Sequence, residues 1–179
     1  LPAQFIYWGD LLDGTMFEAE IGSQWVRGGD AIRAGAKVTF HNDGCVSPPI
    51  PLLNVQAMVT RQTPSGKVHA PQQAMTLDDA LRAHTVHAAF QIGRDHDLGS
   101  LAVGKCADIV ELSADPYQVD VHRLTDDVKV QGTWRSGRRI DLDAFLEEIE
   151  SIDPSEHGHL ATKAAGRHVC THGGHGHTH

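Results

Sequence analysis

An α/β chain is what this sequence predicts, and three observations predict it. A short helix over Asp30–Ala34, a glycine at Gly35 and the β-branched run Lys37–His41 follow one another so closely that they read as one α/β connection. Apolar residues at spacings of three and four dominate residues 51–93, which makes that stretch helical. Alternating apolar residues and glycine turns dominate 100–140, which makes it strands. The change of pattern places a boundary between two structural units near residues 94–99.

Residues 1–27 hold strand-like pieces and glycine turns whose order the pattern does not fix. Asp30 can cap the first helix, and Gly35 supplies the left-handed residue that ends it. The strand Lys37–His41 runs into His41-Asn42-Asp43, and Gly44 lets the chain turn away. Pro51 suits the first turn of a helix that ends at Arg61 and presents Leu52, Val55, Met58 and Val59 on one face. Arg61–Gly66 reads as a loop. Thr76-Leu77-Asp78-Asp79 resembles a capping box with Asp in place of Glu. The helix it opens buries Leu77, Ala80 and Leu81 and runs towards Thr85. A further helix carries Val86, Ala89, Phe90 and Ile92, and Gly93 closes it. A strand over Ala107–Leu112 precedes a hairpin with Val128, Val130 and Trp134 and a Ser136-Gly137 turn. Asp141–Ile152 is an acidic amphipathic helix with Leu142, Phe145, Leu146 and Ile149 on its apolar side. Beyond Pro154 no apolar periodicity remains, so the glycine- and histidine-rich end is expected to be disordered without metal.

At 179 residues the chain has room for one domain or a little more. Its composition, 40% hydrophobic and 21% charged, is that of a soluble globular protein. The net charge of −8 argues against nucleic acid as a partner, which would need a basic face. No apolar run approaches the roughly 20 residues of a membrane span, and Leu1–Trp8 lacks the basic lead of a signal peptide. Three widely spaced cysteines, Cys45, Cys106 and Cys170, make no disulfide framework and fit a reducing, cytoplasmic location. Cys45 is either a thiolate near Asp43 or a small buried hydrophobe. The apolar opening "LPAQFIYW", without a polar lead-in, reads as the interior of a larger protein, and the chain as its C-terminal fragment.

Asp43 is the residue the pattern singles out, because an aspartate ends a strand that otherwise reads as buried. Asn-Asp-Gly after a strand is also ordinary turn chemistry. His41 alternates with Asp43 and can face the same side; it either meets substrate or sits as an edge histidine. His84 and His87, three apart on a helix, could clamp a metal, but no third ligand lies near in sequence, and helix packing is the competing reading. Seven histidines lie between 157 and 179. Among them His172, His175, His177 and His179, with Cys170 nearby, could chelate zinc, nickel or copper without a preformed fold. The same stretch also reads as a solvated low-complexity end.

Three stretches carry a resemblance to a family: "AGAKVTFHNDGCVSPPIPLLNVQAMVTR", "MTLDDALRAHTVHAAFQIG" and "GSLAVGKCADIVELSADP". They resemble the amidohydrolase superfamily and, within it, the type-3 group of N-substituted formamide deformylase-like enzymes, over about residues 5–140. The resemblance implies the C-terminal part of a (β/α)₈ TIM-like barrel, with the strands of a small flanking β-sandwich. Such a barrel alone needs about 250 residues, so the earlier strands and most metal ligands would lie outside this chain. The implied division is 1–95 for the barrel part, 96–140 for the sandwich strands, 141–153 for the acidic helix and 154–179 for the histidine-rich tail.

The implied activity is hydrolysis of a non-peptide C–N bond in a small amide, formamide or cyclic amide, using a divalent metal, zinc by expectation. Asp43 would stand at the metal and shuttle a proton between its bound water and the leaving nitrogen. "FIYWGDLLDGT" resembles the loop between the sixth and seventh barrel strands, so Tyr7 and Trp8 would line the substrate pocket or pack inside. Lys105 and Asp108 match turn positions and are expected to be structural, Asp108 by bonding backbone near its turn. The His-x-His pairs in the tail are not the family's metal motif, which follows an apolar strand. The fragment alone is expected to be inactive, and a homo-oligomer is left open. The alternative is a non-catalytic metal-binding module acting through the tail.

Overall fold

The computed structural model describes residues 2–12, 15–22, 24–43 and 47–151. The tail histidines His172, His175, His177 and His179, with Gly44 and Cys45, lie outside the described residues. Helices α1 (Pro2–Leu12), α2 (Ala19–Gly22), α3 (Gly28–Arg33), α4 (Pro51–Thr60), α5 (Leu77–His84) and α6 (Val86–Gln91) come first. Strand β1 (Ile109–Leu112), helix α7 (Leu124–Asp127), strands β2 (Val130–Arg135) and β3 (Arg138–Arg139), and helix α8 (Leu142–Glu150) follow. The strands form one antiparallel sheet in the order β1-β2-β3. None of the described helices is long and apolar enough to cross a membrane.

The best-packed part lies around α4. Val55, Ala80, Leu124 and Val128 form a cluster with almost no exposure, and Phe40, Leu52, Val59, Leu77, Leu81 and Leu112 pack against it. Pro51 stands in the first turn of α4, and Arg61 ends the helix in the left-handed conformation at φ 53°. The Thr76 hydroxyl caps α5 by accepting from the Asp79 amide at 3.1 Å, as the capping box requires. Gly29 sits where any Cβ would come within 2.8 Å of the Gln72 carbonyl, which brings α3 against the turn at Pro71–Gln73.

Several expectations are corrected. The N-terminal residues form the helix α1, not strand-like pieces. A short apolar run fits either period, and α1 settles the choice by packing on α4. Lys37–His41 carries no strand ladder; a strand needs a hydrogen-bonded neighbour, and this segment is held by side chains instead. Asp30 is inside α3, whose N-cap is Arg27. Its carboxylate takes hydrogen bonds from Arg27 and Arg33, and these, Arg27 first, hold its carboxyl down to about 2.

The loop after Arg61 is a small hairpin closed by a Gln62–Val68 bridge. Phe90 and Ile92 are exposed, and Lys37 Nζ lies 3.3 Å from the Phe90 ring centre. Leu142 and Phe145 of α8 are half exposed.

The hairpin matches its sequence pattern. Ser136 and Gly137 turn with φ 50° and 77°, the left-handed pair that suits a two-residue hairpin loop. The Asp108 carboxylate accepts from the Ser136 amide at 2.7 Å, the backbone role expected of it. Lys105 Nζ donates to the carbonyls of Asp95 and Leu98 at 2.5 and 2.9 Å, which is likewise structural.

Candidate functional site

Asp43 lies at the end of the Lys37–Asn42 segment, in a turn, with φ 60° and an exposed side chain. Positive φ is tolerated by aspartate better than by most residues. One of its carboxylate oxygens accepts from Gln4 Nε2 at 3.3 Å, which ties it to α1. His41 is exposed and makes no hydrogen bond or ion pair among the described residues. Tyr7 and Trp8 are exposed on α1. Asp43, His41, Tyr7 and Trp8 line none of the three cavities resolved here. Among the described residues, only Asp43 and α1 are brought together, through Gln4.

What holds this segment is a buried polar network that sequence reasoning missed. Asn54, in the first turns of α4, is fully buried. Its Nδ2 donates to Asn42 Oδ1 at 2.8 Å, and Asn42 Nδ2 returns a bond to Asn54 Oδ1 at 3.2 Å. Asn42 Nδ2 also donates to the Pro48 carbonyl at 2.8 Å, and the Ser47 hydroxyl donates to the Asn42 carbonyl at 2.6 Å. Asn54 Nδ2 further meets His84 Nε2 at 3.3 Å. The His84 ring stands edge-on to Phe40 with centres 5.3 Å apart. His87 Nδ1 donates to the Val38 carbonyl at 3.2 Å, and the Thr39 hydroxyl meets Gln91 Oε1.

The two histidines therefore fasten the Val38–Asn42 segment to α4, α5 and α6 and form no metal clamp. Burial pushes the His84 imidazole below its usual range. The available signal was Asn54 itself, a polar residue between the apolar Leu53 and Val55.

Beside this network lies an apolar cavity of about 780 Å³ between α4, α5, α7 and the sheet. Leu52, Leu81, Val110, Leu112 and Val130 line it, and His84 stands at its wall. A second polar cluster joins α1 to the hairpin after α4. The Asp10 carboxylate meets His69 Nε2 at 2.6 Å and accepts from the Thr63 hydroxyl at 2.9 Å; the hydrogen bond from His69 holds its carboxyl below the usual range. Arg61 is buried, and its guanidinium donates to the carbonyls of Trp25, Val26 and His69. Burial lowers that group to about 10.

Among the described residues no group of three or more His, Cys, Asp or Glu stands close enough to hold a metal ion. Among the described residues Asp43 has only an amide donor beside it, and it is a single candidate ligand and not a site. These residues do not by themselves fit a metal centre.

Residues 3–141 match the Amidohydrolase family. The chain belongs to this family. Among similar proteins, the N-substituted formamide deformylase of Arthrobacter pascens is 34% identical over 104 residues, covering 58% of this chain and 19% of that protein. The imidazolonepropionase of Bacteroides fragilis is 31% identical over 99 residues, covering 53% of this chain and 21% of that protein. The chain thus spans about a fifth of the length of these curated amidohydrolase relatives. A solved amidohydrolase from Thermotoga maritima MSB8 aligns with 77% of this chain and 35% of its own, at 17% identity and a TM-score of 0.45.

Proposed function

We propose that this chain is the C-terminal portion of an amidohydrolase that cleaves a non-peptide C–N bond, in a small amide, formamide or cyclic amide, with Asp43 as the proton carrier. The observation that supports the reading is the family match across residues 3–141, which includes Asp43 at the end of a segment anchored to three helices. A divalent metal, which this family generally uses, is assigned to residues outside those described. Zinc is the ion the resemblance implies.

The chemistry assigned to the described residues is Asp43's. A carboxylate can take a proton from an attacking water. Once protonated, it can deliver that proton to the nitrogen as the C–N bond breaks. Gln4 Nε2, donating to the same carboxylate at 3.3 Å, ties it to α1. The exposed His41, on the same segment, is proposed to meet the substrate, together with Tyr7 and Trp8 beside Gln4 on α1.

Asp43→Asn in the full-length enzyme tests the reading on a panel of N-substituted formamides and cyclic amides. The substitution keeps size and turn propensity and removes the proton acceptor. It should lower kcat by about 10²–10⁴-fold, the range of general acid–base catalysis. An unchanged kcat would remove Asp43 from the mechanism. The 179-residue chain alone should show no turnover on the same panel.

A further inference from the structure

The network around Asn54 contains more information than its distances, because one end of it is chemically unambiguous. The Pro48 carbonyl can only accept. Asn42 must therefore present its Nδ2 to Pro48, 2.8 Å away. That orientation leaves Asn42 Oδ1 facing Asn54, so Asn54 must present Nδ2 there, at 2.8 Å. With its amide so oriented, the second hydrogen on Asn54 Nδ2 points at His84 Nε2, 3.3 Å away. Nε2 must then carry a lone pair, and the ring proton must sit on Nδ1. Each amide hydrogen in the series between Pro48 and His84 has an acceptor, so the orientations of the two asparagine amides are fixed together.

We propose that Asn54 and His84 are positioning residues for Asp43: the series Pro48–Asn42–Asn54–His84 holds the turn in place only while His84 is neutral, and protonation at Nε2 releases it. Protonated Nε2 would face the Asn54 NH₂, donor against donor, inside a buried site. The one repair is to rotate the Asn54 amide, and that breaks both bonds to Asn42 at once. Asn42 is the residue next to Asp43, so the loss acts on the carboxylate's backbone directly.

The surroundings of His84 agree with a neutral ring. Phe40 covers it on one side. The charged groups nearby are Asp126 and Lys129 around the larger cavity and Asp108 around a smaller one of about 520 Å³. The extended segment adds only Lys37 and His41, both exposed. α4 supplies no charged group of its own, and α5 and α6 add Asp78, Asp79, Arg82 and His87. Burial is the cause that moves the His84 imidazole, downward from 6.5.

The functional meaning of this device rests on the role proposed for Asp43, but its existence does not, and the test separates the two. Long-range ¹H–¹⁵N spectra of the full-length protein, ¹⁵N-labelled at histidine and asparagine, report tautomer and titration without any turnover. The expected result is the Nδ1–H form of His84 at pH 7, a midpoint below 6.5, and Asn42 and Asn54 NH₂ signals that shift with that midpoint. An Nε2–H tautomer, a midpoint at or above 6.5, or amide signals indifferent to it would overturn the proposal.

His84→Gln keeps an acceptor that cannot titrate. In the wild type, hydrogen exchange at the Asn42 and Asp43 amides, corrected for intrinsic rates, should rise about tenfold below the His84 midpoint, and in His84→Gln that rise should vanish. Persistence of the rise in the variant would equally overturn the relay. An unchanged kcat in Asp43→Asn would remove Asp43 from the mechanism and leave the relay standing.

Discussion

Around α4 and α5, Val55, Met58, Ala80 and Ala83 are almost inaccessible, and the polar groups among them, Asn54, Arg61 and Gln73, are buried with partners. In the sheet, Val110 and Val130 are about half exposed, and Gly132 is the one buried residue among the described strand positions. Both regions have regular backbone hydrogen bonding, so the difference lies in the side chains. The helices bury apolar faces against one another, whereas the strands expose apolar residues to the 780 Å³ cavity and to solvent. Regular secondary structure alone therefore says little about where stability resides. Buried contacts carry it, and here they concentrate beside the segment that leads to Asp43.

The contrast can be broken at several points. Leu124→Ala removes the side chain that joins the two regions, fully buried in the shared cluster. It should cost about 2–5 kcal/mol in chemical denaturation, the largest effect expected; a cost near zero would mean that the cluster is not the core. In the sheet, Gly137→Ala forces a Cβ into φ 77° and should cost about 1 kcal/mol. Val130→Ala, at a half-exposed strand position, should stay within about 0.5 kcal/mol. A large loss there would show that the strand faces are covered in solution.

Stability should also depend on pH through His84. Its folded value lies below its ordinary 6.5, so the unfolded chain takes up the proton first. The stabilisation is complete above 6.5 and is lost as pH falls from there through the lowered folded value. Comparing wild type with His84→Gln over that window measures it, and identical pH profiles would mean that the imidazole contributes nothing.

The features legible in the sequence were those governed by neighbours along the chain. The Thr76 cap, the Pro51 helix start, the Ser136-Gly137 turn and the left-handed Gly35 depend on backbone geometry within four residues, and residue type reports that geometry directly. The family resemblance was legible for the same reason, because its stretches are short and contiguous. Other features depended on partners far along the chain. Whether residues 2–12 form a helix or a strand turned on the packing of α1 against α4. Whether Lys37–His41 joins a sheet turned on having a neighbouring strand. His84 could have been a ligand, a core residue or an anchor, and only its distance to Asn54, thirty residues away, decided. Sequence thus determined the local turns, caps and helix starts, which are set by φ, ψ and the nearest side chains. The tertiary structure decided burial and hydrogen-bond partner, because each of these is a property of the space around a group and not of the residue that bears it.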